Sequence, residues 1–189
     1  MTTQPMRAPT SEGVARAAAK IAELLVQTPL LETEVNGAKV WCKADSLQPI
    51  GAFKIRGAWH RLSDLTDAER QRGVVGVSSG NHAQGVAWAA ARLGIPATIV
   101  MPVDAPQVKL AATRAMGANV VLYDRPGGED RDAVAQRLIE QSGATLVHAY
   151  GDPWVIEGQG SAGIEITAQM QARGLEGPPR IVACCGGGG

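Results

Sequence analysis

In Gly51-Ala52-Phe53-Lys54-Ile55-Arg56-Gly57-Ala58, one lysine stands between two bulky apolar residues and inside a pair of glycines. A lysine amine becomes a useful nucleophile only when its charged form is destabilised, by desolvation or by a neighbouring cation. Phe53 and Ile55 are expected to supply apolar surroundings, and Arg56 the nearby positive charge. Amines of this kind condense with carbonyl compounds to Schiff bases. The plain alternative is a lysine whose stem packs at the start of a helix while its ammonium stays in water.

Two other segments bear on that choice. Ser78-Ser79-Gly80-Asn81-His82-Ala83-Gln84-Gly85 follows the apolar run 73–77 and precedes an alanine-rich stretch of helical character. Cys184-Cys185-Gly186-Gly187-Gly188-Gly189 follows a second apolar run, 180–183. Each reads as a strand leading into a small polar or glycine turn, where free backbone N–H groups gather to hold anions. One such turn is ordinary in an α/β protein; two of them with an apolar lysine form a constellation.

These three motifs, in this order, resemble those of the threonine/serine dehydratases, which belong to the tryptophan-synthase-β-like branch (fold type II) of pyridoxal-phosphate enzymes. Thr28-Pro29-Leu30, Gly151-Asp152-Pro153 and Glu157-Gly158-Gln159-Gly160 are similar to further family landmarks, so the resemblance covers nearly the whole chain. It implies that Lys54 is the Schiff-base lysine and later shuttles the Cα proton. It places Phe53 near the pyridine ring, gives the Asn81 amide to the cofactor's phenolic oxygen, and wraps the phosphate in Gly186, Gly187, Gly188 and Gly189. Ser78, Gly80, Asn81 and His82 would receive the substrate carboxylate. Ser79 stands where serine racemases carry an acid/base on the opposite cofactor face, which keeps racemisation open beside dehydration.

Each role has a plainer counterpart: core filling for Phe53, a helix N-cap for Asn81, a structural imidazole for His82, and a turn hydrogen bond for the Ser79 hydroxyl. For the terminal glycines it is a flexible linker end. Arg131 aligns with an arginine that reaches substrate carboxyl groups in the racemases, or sits on a solvated face among Glu129, Asp130 and Asp132. Ala52 replaces a serine common in the family. The partner of the pyridine nitrogen and the family's divalent-metal ligands would lie beyond Gly189. Relatives run past that point, so the resemblance implies an N-terminal portion of a longer enzyme.

The activity so implied is deamination of L-threonine- or L-serine-type β-hydroxy amino acids to 2-oxo acids and ammonia. A racemase or other β-eliminase would share nearly all these residues, and an incomplete, non-catalytic fragment is a further alternative. A plain nucleotide-binding domain loses, because no G-x-G-x-x-G turn follows a strand. A homodimer or homotetramer is implied for the full-length enzyme.

Composition agrees with this. The 18 basic and 18 acidic residues of the 189 cancel and form no basic stripe, which argues against nucleic acid. No apolar run approaches the ~20 residues that cross a bilayer, and no signal-peptide core opens the chain, so a cytoplasmic location is expected. Three cysteines make no disulfide framework. Cys184 and Cys185 read as small buried residues ending a strand, and no metal site is expected.

The elements that must position these groups follow from periodicity. Residues 1–10 read as a loose arm and 14–25 as an amphipathic helix. Asn36-Gly37 between apolar flanks predicts a hairpin within 35–43. Helices are expected over 54–65, 81–93, 107–116, 130–142 and 153–173, and strands over 74–77, 97–101, 119–123, 145–148 and 180–184. Glycine just past a helix, at 94, 117 and 143, is a stop signal. Short apolar strands alternating with helices predict an α/β protein with a parallel sheet in three layers. The resemblance divides it into a small mobile domain, 48–147, and a larger cofactor domain, 1–47 with 148–189, incomplete at its C-terminus. Ligands would lie in the cleft between them.

Overall fold

The protein is described from a computed structural model, which defines residues 7–175, 177 and 180–184. Cys185 and the Gly186–Gly189 turn lie outside the described residues. Four short apolar segments, β3 (Val74–Val77), β4 (Ala97–Pro102), β5 (Asn119–Tyr123) and β6 (Thr145–Val147), form one parallel sheet in the order β5-β4-β3-β6. The helices between them are α4 (Asn81–Leu93), α5 (Gln107–Ala115) and α6 (Arg131–Ser142). Gly94 and Gly143 end α4 and α6 in the left-handed conformation, φ 65° and 68°, as the stop signals predict.

Strand alternation sets the layers. Val74, Ile99 and Met101 face a core made with α4 and α5, while Val75 and Val100 face a second core with Val134 and Ala135 of α6. Helices on both faces give the three-layer arrangement that the sequence predicts. The chain runs outward from β3 to β4 and β5, then returns through α6 to place β6 on the other side of β3. A parallel sheet opens a crevice where its strand order reverses, at the carboxyl ends of the strands. Here that point lies between the ends of β3 and β6.

Before the sheet come α1 (Ser11–Ala22), the antiparallel hairpin β1 (Leu30–Val35) and β2 (Ala38–Lys43), α2 (Lys54–Ser63) and α3 (Asp67–Arg72); after it comes α7 (Pro153–Gln171). The hairpin turns at Asn36-Gly37, where φ is 51° and 79°, as the pair predicts. Asp152 caps α7, accepting from the Trp154 and Val155 N–H groups, with Pro153 in the first turn. No helix among the described residues is long and apolar enough to cross a membrane.

Packing fixes α2 between α4 and α7. A Cβ on Gly158 would lie 2.5 Å from Gly57 Cα, and one on Gly85 would lie 3.1 Å from the Lys54 carbonyl oxygen. Beside that crossing Arg56 is fully buried, its guanidinium bonded to Asp45 (2.8 and 2.9 Å), Glu165 (2.6 and 2.9 Å) and the Ser161 hydroxyl (3.2 Å). Lys43 joins Glu165 (2.6 Å), and Thr28 donates to Asp45 (2.6 Å), so the network also ties down the hairpin.

Three expectations are corrected. Residues 7–10 are no loose arm: Arg7 forms two bonds to Glu157 (2.5 and 2.6 Å), and Thr10 caps α1. A buried carboxylate needs charged and N–H partners, and this segment brings them. Residues 180–184 form no strand; Ile181, Val182 and Cys184 are exposed, Val182 at 97%. A strand must pair its N–H and C=O groups, and none of the described strands pairs with this segment. Helix α3 was not anticipated, although its capping box, Thr66 with Glu69, is written in the sequence.

Gly158→Ala is expected to lower the unfolding free energy by about 1–3 kcal/mol, because the helices must part to admit the methyl. Gly163→Ala, in the same helix but facing open space, should be neutral or slightly stabilising. Urea-unfolding midpoints of the two variants, compared at equal m, check this.

Candidate active site

The tightly packed α2 delivers its first residue, Lys54, to the crevice. Its amine is half-buried and donates to the Ala149 carbonyl (2.8 Å), just after β6. The Phe53 ring lies 5.1 Å from the nitrogen and is 46% exposed. Desolvation holds the Lys54 pKa below its ordinary value. Arg56, expected as a charge that lowers it, is engaged elsewhere, its cation matched by Asp45 and Glu165. Ile55 likewise packs with Ala17, Ile21 and Leu25 in a core of its own.

Across the crevice, Ser78-Ser79-Gly80 links β3 to α4. Ser78 N–H extends the ladder to the Val100 carbonyl (3.1 Å), and its hydroxyl accepts from Gly80 N–H (3.1 Å). The turn-closing hydroxyl is therefore Ser78, whereas Ser79 has no described side-chain bond and lines the cavity. Gly80, not Asn81, is the N-cap of α4. The Asn81 carbonyl oxygen accepts from Lys109 (3.4 Å), which leaves its NH2 without a described partner. The first-turn N–H groups of α4 have no intrahelical acceptors and sit at the positive end of the helix dipole.

His82 is buried, and its Nε2 donates to the Val147 carbonyl (2.9 Å). Burial, with the Lys54 charge adding to it, pushes its pKa down to about 4, against the opposing bond to Val147. The ring is thus neutral and holds the end of β6 to the start of α4; only its backbone N–H remains at the helix mouth.

A cavity of about 470 Å³ opens between the strand ends and α6. Ser78 and Ser79 line one wall, Arg131 and Gln136 another, and His148, Ala149 and Tyr150 a third. Arg131 faces this cavity and is also half-exposed, 3.6 Å from Asp132. His148 and Tyr150 were missed in the sequence. The readable signal was topological: they follow β6, across the strand reversal from the Ser78 turn.

This chemistry suits an anionic aldehyde. A desolvated amine can bind the carbonyl, an aromatic ring stands beside it, and a helix mouth offers N–H groups to oxygen. Residues 21–189 match the model of the family described as pyridoxal-phosphate dependent enzyme. The chain belongs to that family. It is 42% identical to the serine racemase of Schizosaccharomyces pombe over 186 residues, 96% of this chain and 55% of that protein. It is 46% identical to the L-threonine ammonia-lyase of Thermotoga maritima over 157 residues, 83% of this chain and 38% of that protein. The solved structure of maize serine racemase superposes with a TM-score of 0.82 at 36% identity, covering 87% of this chain and 51% of that one. The chain thus spans about half the length of the curated relatives it matches. Fold type II, the parallel sheet and the pyridoxal phosphate cofactor follow from this membership.

His82 should stay neutral down to a midpoint of about 4 in NMR titration of the native protein. The unfolded imidazole takes up its proton near 6.5, so native stability is lost as pH falls from there toward 4, by about 3 kcal/mol in all. His82→Gln, which keeps a donor for Val147 without the titration, should remove that part of the pH slope in urea unfolding.

Proposed function

We propose that this chain carries the lysine-bearing part of an enzyme that deaminates β-hydroxy amino acids of the L-threonine or L-serine type. The products are a 2-oxo acid and ammonia; water lost at the β-carbon is regained when the released enamine and imine hydrolyse. The observation that carries the reading is the desolvated Lys54 amine at the crevice between β3 and β6. When bound, pyridoxal phosphate supplies the electron sink that lets the Cα–H bond break.

The chain's own residues bind, orient and move protons. Lys54 would hold the cofactor through Nζ and would take the Cα proton on that nitrogen; desolvation lowers its pKa in the direction that favours the neutral amine. Phe53 would stand beside the pyridine ring, and the Asn81 NH2 would serve the phenolic oxygen while Lys109 holds the other end of the amide. By the same reading, Gly186, Gly187, Gly188 and Gly189 would hold the phosphate. The Ser78 hydroxyl and the backbone N–H groups of Asn81 and His82 would receive the substrate carboxylate at the helix mouth, with Gly80, whose N–H is held by Ser78, shaping the turn beside it.

A second reading, racemisation, is favoured by Ser79, whose hydroxyl faces the cavity free of a described bond. A proton delivered there to the far face of Cα would give the D-amino acid, and the similarity to serine racemases supports keeping this alternative. The acting form is a homodimer or homotetramer.

Lys54→Ala is expected to abolish covalent retention of pyridoxal phosphate and to lower 2-oxo acid production by roughly 10³-fold or more. Undiminished turnover in that variant overturns the assignment. Chiral chromatography of the products separates the readings: dehydration yields 2-oxo acid alone, whereas accumulation of D-serine from L-serine selects the racemase.

A further inference from the structure

The segment following β6 is organised around one side chain. The carbonyls of Val147 and Ala149 accept from His82 Nε2 (2.9 Å) and Lys54 Nζ (2.8 Å) respectively. Between them His148 turns its Nδ1 back on its own chain, where it accepts from Gly151 N–H (2.8 Å) and Tyr150 N–H (3.3 Å). Residues 149–151 form a turn, and this imidazole braces it from within through those two bonds. The backbone wraps it tightly: a Cβ on Gly151 would lie 3.0 Å from Nδ1, and the Tyr150 ring stands edge-on to it at 4.5 Å. Downstream, Asp152 caps α7 and pairs with Arg61 (2.9 Å), which anchors the far end of the turn.

A nitrogen that accepts two N–H groups carries no proton of its own. His148 is therefore deprotonated at Nδ1 in this arrangement, and its acceptor aims the Ala149 carbonyl at the Lys54 amine. Fixing one N–H of an amine restricts where its lone pair points, and that direction decides which atom it reaches.

We propose that His148 is a positioning residue for Lys54, acting through the Ala149 carbonyl rather than by touching cofactor or substrate. The inference rests on the reading of Lys54 as the cofactor lysine. Side-chain geometry separates this role from a donor role in the cavity. An asparagine oxygen can take the place of Nδ1, whereas a glutamine amide reaches instead to the place of Nε2.

The test loads the full chain with pyridoxal phosphate, traps the adduct with borohydride, and quantifies labelled Lys54 peptide against labelled Lys109 peptide by mass spectrometry. His148→Ala and His148→Gln are expected to lower the Lys54 share by roughly tenfold, since sub-ångström misplacement of a reacting group has effects of this order. His148→Asn should keep it within about threefold of the unsubstituted chain. A general loss of folding would not distinguish Asn from Gln. Equal losses in the Asn and Gln variants, or equal retention in all three, overturn the inference while leaving Lys54 in place. An unsubstituted chain that takes no label at Lys54 sinks the reading beneath it as well.

Discussion

The structure depends on how closely α2 and α7 approach at Gly57 and Gly158. At that separation no side chain fits between the helices, and Arg56 locks the crossing to Asp45 and Glu165 with no exposed guanidinium surface. Removing one member of a buried charge network costs about 3–5 kcal/mol, because its partners remain buried and unmatched. The consequence is positional. Lys54 opens α2, so the crossing and the contact of α2 with Gly85 together determine where the amine stands.

Three helix beginnings meet the end of β6. Lys54 opens α2 and bonds Ala149, His82 lies in the first turn of α4 and bonds Val147, and Asp152 caps α7. Each helix presents its positive end, which favours anions and disfavours an ammonium. The lowered Lys54 pKa arises from burial in this setting, not from Arg56. A neutral His82 next to it spares the crevice a further positive charge.

Much of this was legible in the sequence because it rests on local rules. Alternating short apolar strands and glycine-stopped helices predicted the sheet, and Asn36-Gly37 predicted the hairpin. The failures fall where a non-local partner decides. Residues 180–184 have a strand's composition but pair with none of the described strands. Arg7 belongs to a polar, proline-containing start, yet it docks because Glu157, 150 residues away, is buried and needs it. The two serines of Ser78-Ser79 cannot be told apart by type; only the folded turn shows that the Ser78 hydroxyl accepts from Gly80 N–H, while the Ser79 hydroxyl has no described bond.

By itself the sequence determined the chemistry available: an amine among apolar neighbours, a serine-rich turn before a helix, and a parallel α/β frame, since residue types and their periodicity are local properties. Only the tertiary structure decided which groups meet. Arg56 was drawn away to two carboxylates, and His82 was turned to a strand end. His148, unremarkable in sequence, came to face its own backbone beside Lys54. Proximity and burial arise from chain segments about 100 residues apart, and no local pattern encodes them.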